Sequence, residues 1–173
     1  MNDERHRQPV TVDVNVLVRA VAQRDRTEFW SWPSPPPASS NPAADCIGIF
    51  NDAEEFSLFL SPHILRNVKR VLTDPDDGYG WPEPDADDYV AVLTEIAEAS
   101  GGEVLDPTVT VTDCVADYED NRILELVLAS GLLLLVSSDM SHLVPMSPWR
   151  GTPIITPAQF VGRVDGMRRS PRR

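Results

Sequence analysis

A chain of 173 residues, 42% of them hydrophobic, is the size of one domain and can bury a real core. Its formal net charge of -12 excludes a broad basic surface of the kind that coats nucleic acid. No apolar run reaches the roughly 18 residues of a membrane span, so no membrane partner is expected. Met1 to Arg7 carries no apolar signal core, and the expected location is cytoplasmic. A nucleic-acid substrate stays open, because the acids concentrate between Asp74 and Asp88, the tail Arg163 to Arg173 is basic, and bound metal can reverse local charge. Cys46 and Cys114 stand far apart with no Cys or His at ligand spacing, which points to small core residues rather than zinc ligands.

Residues 1–8 are expected to form a flexible tail and residues 9–165 a single domain. Val10-Thr11-Val12 alternates like a buried strand, and from Val14 the apolar spacing becomes Val14, Leu17, Val18, Val21, one stripe of a helix. Asp13 and Asn15 sit at the joint, the carboxyl edge where open parallel sheets bind ligands. A carboxylate among so much Val and Leu calls for a cation or for a helix N-terminus to cap, and the segment alone allows both. Prolines crowd residues 24–42 and block both helix and ladder, so this is an extended loop in which Trp30 and Trp32 either dock or stack a base, docking being preferred.

A short helix is predicted over Ala43 to Asp52, a buried strand over Phe56 to Leu60, and a helix from Ser61-Pro62 to about Leu72 with Leu65, Val68 and Leu72 on one face. Turn residues from Asp74 to Asp85 lead to a helix over Ala86 to Ala99, and short strands are predicted at Glu103 to Leu105 and Thr108 to Val111. The acids of the 74–88 region lack the ordered ligand series of a calcium loop and read as solvated surface. Asp113 to Asp120 forms a second acidic cluster opening a helix with Ile123, Leu124, Val127 and Leu128 inward. Asp117 and Asp120, three residues apart, share a face if the first turn begins early enough.

Leu132 to Val136 is a second apolar strand that runs into an acid, Asp139, through Ser137 and Ser138. A strand over Thr152 to Ile155 and a helix capped by Thr156-Pro157 follow, and the basic tail 166–173 is expected to be disordered. His6, His63 and His142 are scattered and read as surface residues, Met140 and Met146 as gap fillers, and Arg150 as a solvated turn residue.

Alternating strands and helices predict a parallel sheet covered on both faces. There Asp13, Asp120 and Asp139 can converge at one edge. Clustered carboxylates repel, and a hard divalent cation is the simplest remedy; without a His cluster, Mg2+ or Mn2+ suits them better than zinc. Such an ion can orient water against a phosphate, with an Asp or Glu helping to deprotonate it.

Five segments together resemble the PIN-domain nucleases, in particular the actinobacterial, VapC-like toxin components of toxin-antitoxin pairs. They are Asp13-Val14-Asn15-Val16-Leu17, Leu60-Ser61-Pro62-His63-Ile64-Leu65, Asp117-Tyr118-Glu119-Asp120-Asn121, Val136-Ser137-Ser138-Asp139, and the run Thr152 to Phe160. The resemblance spans Val10 to Val161. It implies a three-layer α/β/α sandwich around a parallel sheet, Mg2+ or Mn2+ held by acids, and hydrolysis of single-stranded RNA. By position the acids are Asp13, Asp120 and Asp139, with Asn15 and Ser138 supporting them through hydrogen bonds. Two positions depart from the pattern: Asn67 stands where a Glu is usual, and Ser141 where an Asp often follows the strand-end acid. Asn67 offers oxygen without charge; Asp117 or Glu119 is the candidate to compensate as a metal ligand.

The leading expectation is a metal-dependent endoribonuclease, with an antitoxin and a second copy of the chain as further partners. The alternative is a PIN-fold protein that binds RNA or a protein partner and no longer cuts. A phosphate-receiving domain needs a Lys beside the strand-end Asp, and only Lys69 is on offer.

Overall fold

The structure, a computed structural model, describes residues 6–22, 32, 40–114 and 116–170. In chain order its elements are β1 (Gln8–Val12), α1 (Val14–Ala22), α2 (Pro42–Asp52), β2 (Phe56–Leu60), α3 (Pro62–Thr73), α4 (Glu83–Ala99), β3 (Glu103–Val104), α5 (Tyr118–Ser130), β4 (Leu134–Val136), β5 (Ile154–Ile155) and α6 (Pro157–Arg169). A short 3-10 turn at Val144–Met146 precedes β5. The strands form one parallel sheet in the order β3-β2-β1-β4-β5, so this is the α/β architecture read from the alternation of elements.

Local chemistry sets the helix starts. Asn41, Ser61 and Thr156 each accept a backbone N–H with the side chain and each is followed by Pro, and Gln159 returns the bond at Thr156 to complete a capping box. Helices α1 to α4 pack on one another and α6 packs on α2, whereas α5 packs against β1. With right-handed crossovers this puts α5 on the opposite face and completes three layers. Val10, Val12, Leu58, Leu60, Leu135 and Val136 fill the sheet's interior, and Phe160 stacks on Phe50 and meets Phe56 edge-on beneath it.

The chain leaves β1 towards β2 and β3, then jumps back past it to β4. The strand order therefore reverses between β1 and β4, which makes their carboxyl ends the switch-point cleft of the sheet.

Several expectations need correction. The segment Thr108 to Val111 is not a strand: Val111 N–H donates to Glu125 Oε1 at 3.1 Å, and Asn121 clamps both the N–H and the C=O of Cys114. Side chains of α5, instead of a ladder, satisfy this stretch. Turning Glu125 inward leaves Leu128, expected inside, 40% exposed, while Leu126 is buried. Helix α5 begins only at Tyr118, so Asp113 lies outside it and binds Trp149 Nε1 at 2.8 Å and Arg150. Arg150 thus has a carboxylate partner and lies over the Trp149 ring. Met140 is exposed and fills no gap.

The tail expected to be disordered from Gly166 is helical through Arg169, because Arg168 reaches Asp52 at 2.9 Å and Glu55 at 2.7 Å. At the other end Gln8 is already in β1, and Arg7 donates to Ser100 O. Residues 1–5, 171–173 and, apart from Trp32 and 40–42, the Pro-rich stretch lie outside the described residues, Trp30 among them. Trp32 is buried, in keeping with docking. Cys46 and Cys114 are buried free thiols, as expected. No helix among the described residues is long and apolar enough to cross a membrane.

Candidate metal centre

Asp13 joins β1 to α1. Its N–H donates to Val136 O at 2.9 Å, its carbonyl accepts from Val16 and Leu17, and the residue is 4% exposed. The register that pairs Val12 with Val136 carries Asp13 alongside Ser137, whose hydroxyl donates to Asp13 Oδ2 at 2.8 Å. Burial raises the Asp13 carboxyl above its usual range, against the Ser137 hydroxyl and the N–H groups of Val14 and Asn15. Asp13 therefore caps the helix and faces the cleft as well.

Asp139 follows β4 and closes a tight turn. Its Oδ1 accepts the N–H groups of Ser141 at 2.9 Å and His142 at 3.0 Å, and its own N–H donates to Ser137 Oγ at 3.0 Å. Burial works to raise this carboxyl, but the His142 and Ser141 N–H groups prevail and hold it below the usual range. Ser137 thus bridges the two strand-end acids.

Asp120 arrives from the first turn of α5 and is 6% exposed. Burial, then Asp117, Asp139 and Asp13, push its carboxyl up to about 7, with His142 opposing. His142 Nδ1 lies 3.4 Å from Asp120 Oδ2 and 3.4 Å from Asp139 Oδ2. Ligand atoms of Asp117, Asp120 and His142 fall within 4.8 Å of one another, while Asp117 also caps α5 by accepting Glu119 N–H. Carboxylates and an imidazole that converge in a largely buried corner have the donor chemistry of a divalent-cation site, and these residues fit such an ion.

Across the cleft the wall is softer. Asn67 Nδ2 donates to Glu119 Oε2 at 3.0 Å and meets His63 Nε2 at 2.9 Å, while its Oδ1 accepts from Arg70 Nε at 3.1 Å. His63 also pairs with Glu119. Asn15, His63, Asn67, Arg70, Asp117, Glu119 and the acids Asp13 and Asp120 line one cleft.

The structure thus brings together Asp13, Asp117, Asp120 and Asp139, with Glu119, Asn15 and Asn67 at the rim. Ser138 is a correction: its hydroxyl makes no hydrogen bond among the described residues, and the strand register gives the supporting role to Ser137. His63 and His142, read as surface residues, stand at the site. Their signal was faint, a His three residues after each of Leu60 and Asp139 at a strand end. Lys69 is engaged by Glu83 and Asp87, which removes the cation a phosphate-receiving site would need.

Acids gathered at the switch point of a parallel sheet put candidate cation ligands where such sheets bind their ligands. The sequence model of the PIN domain matches residues 9–141, and the chain belongs to that family, one of nucleases. No curated protein matches it in sequence.

Proposed function

We propose that the chain is a Mg2+- or Mn2+-dependent endoribonuclease that hydrolyses single-stranded RNA and acts as the VapC-like toxin of a toxin-antitoxin pair, with RNA, an antitoxin protein and a second copy of the chain as its partners. The observation that carries this reading is the joining of Asp13, Asp120 and Asp139 from three separate segments: Ser137 bonds the first and third, and His142 lies against the second and third.

Asp13, Asp120 and Asp139 would hold the ion, with Asp117 beside them. The bound ion would supply Lewis acidity towards a phosphate oxygen and a water of lowered pKa. Ser137 fixes the orientation of Asp13 and the backbone next to Asp139, so neither acid has to be ordered when substrate arrives. Arg70 at the rim offers a guanidinium to a phosphate, next to the Asn67 amide.

Asn67 favours a second reading, a PIN-fold protein that binds RNA or a protein without cutting it, because a neutral amide occupies the wall where an acid would add charge.

The test is cleavage of a panel of single-stranded RNAs with manganese, magnesium or chelator, beside Asp13→Asn. We expect ion-dependent cleavage that drops at least roughly a hundredfold in the variant. Activity that survives in Asp13→Asn or in chelator contradicts the nuclease reading of this site. Ion binding without cleavage selects the second reading.

A further inference from the structure

We propose that His142 is a ligand of the ion, and that its imidazole makes the centre select a transition-metal ion such as manganese or cobalt over magnesium. The inference rests on the metal-dependent reading above and concerns which ion the site takes.

The geometry is local and constrained. His142 N–H and Ser141 N–H both bind Asp139 Oδ1, so the carboxylate has only Oδ2 left for the cleft, and His142 Nδ1 lies 3.4 Å from it. Val144 N–H closes on Asp139 O at 2.9 Å, and Leu143 is fully buried, which anchors the turn on both sides of the imidazole. The same Nδ1 is 3.4 Å from Asp120 Oδ2. Donors around an octahedral ion at about 2.1 Å lie about 3.0 Å apart when adjacent and about 4.2 Å when opposite. The two 3.4 Å spacings from His142 Nδ1 belong to that range, and Asp117 stands nearby, in a group spread over 4.8 Å.

Ser141, where an acid was expected, is exposed and spends its N–H in the turn. The donor from this turn therefore comes one residue later and is nitrogen. Magnesium gains little from imidazole, whereas first-row transition ions accept it more readily, cobalt more so than manganese, so a nitrogen donor at His142 shifts preference rather than removing the site.

The experiment uses the full chain stripped of metal and loaded separately with Mn2+, Co2+ or Mg2+. Calorimetry gives affinities, and electron spin-echo modulation of the Mn2+ form detects a directly bound nitrogen. We expect nitrogen coupling in the unaltered protein and its loss in His142→Ala and His142→Asp, with circular dichroism confirming the fold. In His142→Asp the Mn2+/Mg2+ affinity ratio should fall roughly tenfold or more.

Mn2+ bound without nitrogen coupling, or an affinity ratio unchanged in His142→Asp, overturns the role of His142 while the metal-dependent reading stands. If neither the unaltered protein nor His142→Asp binds any of the three ions, both fall together.

Discussion

At the carboxyl ends of β1 and β4 Asp13 is buried, Asp139 is half-buried and both are tied down, with Asp120 of α5 buried beside them, while across the cleft His63, Asn67 and Arg70 of α3 and Glu119 of α5 are half-buried or exposed and bond mainly to one another. Asp13 and Asp139 are held by Ser137 and by backbone N–H groups. Asn67, His63, Glu119 and Arg70 instead form a chain of polar contacts along the rim. In the floor, burial above all makes ionised Asp13 and Asp120 costly in a way a cation would offset, whereas backbone N–H groups already hold Asp139 below the usual range. The rim spends its polar atoms on one another through the neutral Asn67 amide. A substitution in the floor should therefore change metal binding and stability together, and one at the rim should tune affinity.

The largest effect on stability is expected from Asp120→Asn in the metal-free protein. The folded-state pKa of Asp120 is raised to about 7 from an ordinary carboxyl's 3.8, so the folded state holds the proton more tightly than the unfolded one. Its favourable contribution is complete below about pH 4 and is lost as pH rises to about 7. Asp120→Asn should then stabilise the metal-free protein at pH 7 by about 2–4 kcal/mol and flatten the fall in melting temperature between pH 4 and 7. Calorimetric melts across that range check it; a variant less stable than the parent at pH 7 would show that the floor is not electrostatically strained.

Ser137→Ala comes next, at about 1–3 kcal/mol of destabilisation, since it strips a hydrogen bond from a buried carboxylate and from the N–H of Asp139. Ser138→Ala should cost less than about 0.5 kcal/mol by the same denaturation curves. Equal costs would refute the register argument that separates the two serines.

The smallest effect is assigned to the rim. Asn67→Glu should strengthen Mn2+ binding by several-fold, about 1 kcal/mol, and weaken the metal-free fold slightly through repulsion with Glu119. Titration calorimetry with unchanged affinity would place Asn67 outside the reach of the ion.

Asp13 and Asp139 were legible because the first follows an apolar run directly and the second follows one after two serines, and a strand delivers the residues just past its end to the sheet edge whatever the rest of the chain does. Asp120 and Asp117 were legible as helix-start acids, although the helix opens at Tyr118 and leaves Asp113 outside. Buried Glu125 and Asn121 were missed, since each meets backbone groups of a loop, Glu125 with Arg122 on its other oxygen, and nothing in helical periodicity marks a polar residue that turns inward to meet a loop.

Local pattern alone determined the alternation of elements, the caps at Ser61 and Thr156, and the acids at two strand ends, because those depend on residues within a turn or two of each other. Tertiary structure decided that Ser137 rather than Ser138 binds Asp13, through the Val12–Val136 register. It also decided that His142 meets Asp120 from α5, and that Glu119 turns to Asn67 and His63 on α3. Those contacts join segments distant along the chain, and only the packing of the sheet and its two helix layers fixes which side chains then face one another.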